Sequence, residues 1–191
     1  MVHYKRAESD EELKAILQLQ RENLPSALSR EEKSAQGFVT VEHSEAQLKT
    51  LNEIEPHIIA KDDDYVIAYL LVMTAESANE IPILQPMFEL FGHVPFAGRT
   101  VSDFHYVVVG QACVSRPYRG KGVLDACYAY YRKSLQGRYD FAVTEIAATN
   151  LRSLRAHERI GFTDIHHYTA PDGIEWVMVA WNWKLLASDG R

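Results

Sequence analysis

The sequence predicts a mixed α/β domain, and three observations carry that prediction. Runs of β-formers alternate with amphipathic helical patterns along the chain; two pairs of β-rich runs are joined by hairpin-type turns; and one β-rich run leads through a glycine-containing loop straight into a helical stripe. With 191 residues, 47% hydrophobic and 24% charged, the chain has material for one full core and is read as a single domain over 1–191.

Taken in order, His3 to Glu8 reads as a first strand. Asp10 is placed as the N-cap of a helix carrying Leu13, Ile16, Leu17 and Leu24 on one face, which Pro25 ends. Residues 26–41 show no clean period. Ser44 and Gln47 form a capping box opening a second helix through Leu48, Leu51 and Ile54, closed by Pro56. His57 to Ala60 and Tyr65 to Met73 are read as antiparallel strands around Lys61-Asp62-Asp63-Asp64. Those aspartates lack the alternating spacing and distal glutamate of a calcium loop, so they are a solvated turn. Between Glu80 and Gly98, Ile81, Leu84, Met87, Phe88 and Phe91 are interrupted by Pro82, Pro86 and Pro95, which suggests a helical flap.

Tyr106 to Val114, rich in β-branched and aromatic residues, is the buried central strand. After the loop Arg119-Gly120-Lys121-Gly122-Val123, the residues Leu124, Cys127, Tyr128, Tyr131 and Leu135 fall at helical spacing, so a helix starts near Gly122. Glycines allow close approach of a ligand, and the orphan amides of a helix start favour an anion. The loop is neither a Walker A sequence nor the dinucleotide fingerprint. A second β-rich run, Tyr139 to Ala148, leads to Asn150, a short helix and Arg159-Ile160-Gly161-Phe162. Ile165 to Thr169 and Ile174 to Trp183 are strands joined at Pro171-Asp172-Gly173, with the tryptophans packing on the sheet. Cys113 and Cys127 have no C-x-x-C spacing and read as small core residues; His166 and His167 point to opposite faces of their strand and share no metal site.

The strand, R/Q-x-x-G-x-G/A loop, helix, strand, Asn, helix and Gly-Phe order between Val107 and Phe162 resembles the GNAT family of acyl-CoA-dependent N-acetyltransferases. The resemblance implies a GNAT fold: a twisted, mixed but mostly antiparallel sheet of about seven strands flanked by helices. It implies acetyl-CoA as co-substrate and no metal. Cys113 and Val114 would offer backbone groups to the pantetheine arm, and Arg119, Gly120, Lys121, Gly122 and Val123 would hold the pyrophosphate. Asn150 would lie near the thioester, and Phe38 would belong to the acceptor pocket, with the 80–98 segment either walling that pocket or forming a dimer contact. Two positions depart from the pattern. Leu124 stands where the family usually has Gly or Ala, and His157 stands where many members carry the tyrosine that protonates the leaving thiolate.

An aliphatic amine with a pKa of about 8 to 10 must lose a proton before it attacks a thioester. Glu145, five residues before Asn150 and twelve before His157, matches the glutamate of the ribosomal-protein N-terminal acetyltransferase branch and is read as the base. His157 is read as the acid, with Tyr168 or Tyr106 as alternatives, while backbone N–H groups near Val114 would polarise the carbonyl. The expected activity is transfer of acetyl to a primary amine, of a small molecule or a peptide, by direct attack in a ternary complex. A non-catalytic acyl-CoA binding module is the alternative, and a nucleotide-phosphate binder outside the family is a third reading. The charge of −6 argues against nucleic acid and for a cationic acceptor. With neither a signal core nor a run long enough to span a bilayer, the expected setting is cytoplasmic, away from membranes, and a homodimer is in keeping with the family.

Overall fold

A computed structural model describes residues 1–24 and 41–184. The chain opens with β1 (Val2–Arg6) and α1 (Asp10–Arg21). Ser9, rather than Asp10, is the N-cap: its hydroxyl accepts the Glu12 amide at 3.2 Å, leaving Asp10 in the first turn to pair with Lys49 at 3.1 Å. The helix also stops before Pro25, where the Glu22 amide bonds the Gln18 carbonyl and the Asn23 side chain bonds the Leu19 carbonyl at 2.7 Å. Helix α2 (Glu45–Ile54) begins on the expected capping box, with Ser44 and Gln47 each satisfying the other's amide.

Strands β2 (Ile58–Asp62) and β3 (Tyr65–Met73) form the expected hairpin, with Asp63 at φ 51° in its turn. The 80–98 segment folds as a 3-10 turn (Pro82–Leu84), a short helix α3 (Gln85–Leu90) and the first arm of a small hairpin, β4 (Pro95–Phe96) with β5 (Arg99–Thr100). Then come β6 (Tyr106–Val114), α4 (Val123–Leu135), β7 (Phe141–Ala147), α5 (Leu151–Ile160), β8 (Thr163–Thr169) and β9 (Glu175–Asn182).

The seven long strands form one sheet in the order β1-β2-β3-β6-β7-β9-β8, antiparallel except at β6/β7. Each face carries its own core. Leu13, Ile16 and Leu17 of α1, with Leu48 and Leu51 of α2, cover Tyr69, Leu71, Val108 and Val143. On the other face, Val123, Cys127, Tyr128, Tyr131 and Leu135 of α4 cover Leu70, Val72, Val107 and Ala142. Here Val123, one turn before Cys127, takes the place of the partly buried Leu124 on a stripe that otherwise holds the expected Cys127, Tyr128, Tyr131 and Leu135, and Gly122 sits outside the helix as its N-cap. Burying each aliphatic side chain of this kind contributes about 1.5–3 kcal/mol.

The β6/β7 pairing positions the site. These strands pair only over Tyr106–Val108 with Phe141–Val143, and beyond that point they diverge. Gly110 is an extra residue at a bulge, since Leu71 faces Gln111 and Val72 faces Val109. A Cβ at Gly110 would press into the Met73 side chain. At the fork, the Thr144 hydroxyl donates to the Val109 carbonyl at 2.7 Å, closing the last gap before the strands part.

Candidate active site

The divergence opens a cleft of about 710 Å³ between β6 and the starts of α4 and α5. A smaller cavity of about 70 Å³ lies at the fork and shares Ala112, Asn150, Ser153 and His157 with it. One wall of the large cleft is the loop. Gly120 at φ 73° and Gly122 at φ 79° hold a left-handed backbone that side chains rarely adopt, and a Cβ at either would meet nothing within 4 Å. The space over the loop is therefore open, and the glycines are required by conformation alone. Ala126 is the first amide of α4 to find a backbone acceptor, the Gly122 carbonyl at 3.1 Å. Among the described residues, the amides of 120–125 have no backbone acceptor, which leaves a set of N–H groups at the positive end of the helix.

Arg119, Gly120, Gly122 and Val123 line this cleft; Lys121 does not, and its ammonium lies 5.6 Å from the centre of the Tyr118 ring. Leu124 also lines the cleft. The Arg119 guanidinium is turned back into the protein, donating to the Val114 carbonyl at 2.9 Å and to the Asn23 side chain. It ties the loop to β6 and to the end of α1.

Strand alternation decides which backbone groups of β6 face the opening. Ser115 donates to Ile67 at 2.8 Å in register with β3, so Cys113 directs its amide and carbonyl to Tyr69 across the same pair of strands. Cys113 lines the cleft together with Ala112 and Val114, but only the latter two turn their backbone groups to it, and the Val114 carbonyl is already taken by Arg119. The backbone groups expected of Cys113 thus belong to Ala112, while Val114 keeps its amide for a ligand. Register with β3 sets this parity, and the strand's own residues carry no signal of it.

Asn150 is buried as the N-cap of α5, its side-chain oxygen accepting the Ser153 amide at 3.3 Å, and it lines both cavities. His157 also borders both, yet it is only 4% exposed. Its Nδ1 lies 2.8 Å from the Ser153 carbonyl, which an N–H alone can satisfy, so Nδ1 carries the proton and Nε2 accepts from the Tyr128 hydroxyl at 2.6 Å. Burial pushes its pKa down to about 4. Both nitrogens of this neutral ring are committed within the protein, a poor arrangement for releasing a proton into the cleft.

Glu145 reaches the small cavity from β7. Burial raises its pKa to about 7, opposed by a hydrogen bond from Tyr168, and its Oε1 is buried with no partner among the described residues. Tyr168 arrives through sheet register: Glu145 pairs with Met178 on β9, Met178 with His166 on β8, and Tyr168 is two residues further along the same face. Of the two alternative tyrosines, Tyr106 is at the closed end of the fork, its ring centre 5.0 Å from that of Phe91. Only Tyr168 stands beside the carboxylate. Trp176, opposite Ala147, completes this side of the cavity, whereas Trp181 and Trp183 pack on the α4 face with Tyr128 and Tyr131. Trp176, Thr144 and Ala112 were unreadable as site residues in the sequence, and an aromatic-rich final hairpin was the signal pointing to the first; Tyr168, named there as an alternative acid, stands instead beside the carboxylate.

Behind this face lies a buried polar network. The Gln111 carboxamide oxygen accepts from Tyr69 at 2.5 Å and Gln20 at 2.7 Å, its nitrogen donates to the Val41 carbonyl at 2.8 Å, and Gln20 also bonds His43. The network fastens β6 to α1 and to the chain entering α2. Phe38 lies outside the described residues. Among the described residues, the 80–98 segment contributes no lining residue to either cavity, and Ile81, Met87, Phe91 and Val94 pack into the core at the closed end of the sheet.

Neither a family model nor a curated protein sequence matches the chain. Solved structures do. The NatC complex bound to Gag peptide and CoA aligns with a TM-score of 0.65 at 14% identity, over 96% of this chain and 99% of that one. A GNAT-family acetyltransferase from Streptococcus agalactiae aligns with a TM-score of 0.65 at 13% identity, over 96% of both chains. The chain has the GNAT fold. A ribosomal-protein alanine N-acetyltransferase from Escherichia coli is similar over 95% of this chain and 94% of its own, with a TM-score of 0.61 at 14% identity.

Proposed function

We propose that the protein transfers an acetyl group from acetyl-CoA to an amine of a small molecule or peptide, by direct attack in a ternary complex. The observation that carries this reading is the pairing of an anion-binding loop with a buried carboxylate across the β6/β7 fork. The solved NatC complex, which holds both CoA and a peptide on a similar fold, supports it.

The residues fit such a donor. The open, Cβ-free surface of Gly120 and Gly122 and the unpaired amides beside them suit a pyrophosphate, and the Ala112 and Val114 backbone suits an amide-bearing arm. Bound there, acetyl-CoA supplies an activated thioester. The Val114 amide is free to polarise a carbonyl oxygen at the fork. Glu145, with its proton affinity near neutrality, takes the proton from an incoming ammonium at a carboxylate oxygen, and the Tyr168 hydroxyl holds that carboxylate in place. His157 acts as a positioning residue: it fixes α5 against Tyr128 and keeps Asn150 and Ser153 at the junction of the two cavities. A binding module has no use for a destabilised buried carboxylate at this position, which favours the enzyme over the non-catalytic alternative.

Gly122→Val tests the reading. The variant is expected to lose at least about tenfold in acetyl-CoA affinity by calorimetry, at a stability cost of only about 1–2 kcal/mol for the left-handed backbone. Unchanged affinity in a folded variant would remove the loop from the donor site.

A further inference from the structure

One wall of the small cavity at the fork is explained by neither core packing nor hydrogen bonding. Most of its polar side chains are committed: Gln111 to the buried network, Thr144 to the Val109 carbonyl, Asn150 to the Ser153 amide, and His157 to Ser153 and Tyr128. Trp176 is the exception. It belongs to neither core and, among the described residues, meets no other ring, whereas Trp181 and Trp183 pack on Tyr128 and Tyr131. Tyr168 lies directly across from it on β8, also outside both cores, and both side chains are half-buried. A large aromatic left partly wet at a cavity wall forgoes part of the burial that would stabilise it, and its face stays available to a ligand.

The chemistry of that face narrows the ligand. An indole attracts an ammonium to its negative π-face and packs well on methylene groups. Glu145 stands on the same face of the sheet, paired with Met178, which is two residues along β9 from Trp176. Among the described residues, no lysine or arginine lines this cavity. Its volume is about 70 Å³, and one water needs about 10–15 Å³ of such space, so it takes an amine nitrogen and a few carbons. A branch on the carbon next to the nitrogen would have to share that space with the indole.

We propose that Trp176 is a specificity-determining residue for the acceptor: its indole receives a primary ammonium carried on an unbranched carbon and turns away one carried on a branched carbon. The acceptor class is an unbranched alkyl amine, in preference to the branched α-carbon of most peptide N-termini. This rests on the acetyl-transfer reading given above and narrows its acceptor.

The test uses two isomers with the same atoms and charge, butan-1-amine and butan-2-amine, beside a peptide that begins with alanine, with transfer from acetyl-CoA followed by thiol release. The native protein is expected to show kcat/KM at least about tenfold higher for butan-1-amine than for its isomer. Trp176→Ala is expected to bring that ratio close to one and to raise KM for butan-1-amine about five- to tenfold, with acetyl-CoA affinity unchanged by calorimetry, since Trp176 does not line the large cleft. Trp176→Phe, which keeps an aromatic face, is expected to hold KM for butan-1-amine near the native value. Equal native kcat/KM for the two isomers, or equal loss with both in Trp176→Ala, overturns the inference and leaves the transfer reading intact. Transfer to the peptide with none to butan-1-amine does the same. No transfer to any of the three amines by a protein that binds acetyl-CoA overturns the transfer reading and this inference with it.

Discussion

Replacing Glu145 by Gln separates stability from chemistry. The carboxyl ordinarily titrates near 4.5, and burial in the fold raises it to about 7. Below pH 4.5 it is protonated whether the chain is folded or not, so the fold incurs no penalty. Between 4.5 and about 7 the unfolded chain releases the proton while the native state keeps it, and stability falls as pH rises; above 7 the penalty is complete and constant. The difference in proton affinity corresponds to about 3 kcal/mol. A glutamine has the shape of the protonated acid and cannot ionise. The stability of Glu145→Gln relative to the native protein is therefore expected to improve by about 3 kcal/mol between pH 4 and pH 8, measured by urea unfolding followed through tryptophan fluorescence. Taking the difference between the two proteins cancels every other titrating group. The same variant is expected to keep its affinity for acetyl-CoA and to lose kcat by about 10²–10⁴-fold, the usual contribution of a general base. Parallel stability profiles across this range would refute the buried, raised carboxyl, and undiminished turnover would refute its role as base.

Three more expectations follow from the same coordinates. If the proposed transfer operates, kcat/KM of the native protein is expected to fall as pH drops through about 7, and that break should vanish from the residual activity of Glu145→Gln. His43 and His157, whose pKa values burial pushes down to about 4, and His57, down to about 3, all stay neutral in the fold while the unfolded chain takes up protons below 6.5; stability should accordingly drop steeply as pH falls from 6.5 to 4, read by circular dichroism. Tyr128→Phe strips the donor from the His157 Nε2 and should cost about 1–3 kcal/mol in urea unfolding with the donor affinity little changed, whereas retention of full stability would mean that the bond contributes nothing.

Much of this protein is written locally. The capping box of Ser44 and Gln47, the strand Tyr106–Val114, and the left-handed glycines before α4 follow from propensity, short-range hydrogen bonding and backbone sterics, which act within a few residues. The loop, Asn150 and Glu145 could be named as a site because the order of elements resembles that of a family in which the corresponding residues lie together. The sequence could not say which backbone groups of β6 are free, because pairing with β3 turns Cys113 inward and Ala112 outward, and shifting that register by one residue would reverse the choice. Nor could it select Tyr168 over Tyr106: the two are decided by β7-β9-β8 register and by which end of the β6/β7 fork is closed. His157 shows the same limit in chemical terms. Its position in the sequence suggests an acid, and only the folded contacts with Ser153 and Tyr128 reveal that its proton and its lone pair are both already engaged. Local sequence determined the elements and the loop; long-range pairing and burial decided which groups face the cleft and what charge they carry there, because register and desolvation exist only once distant parts of the chain have met.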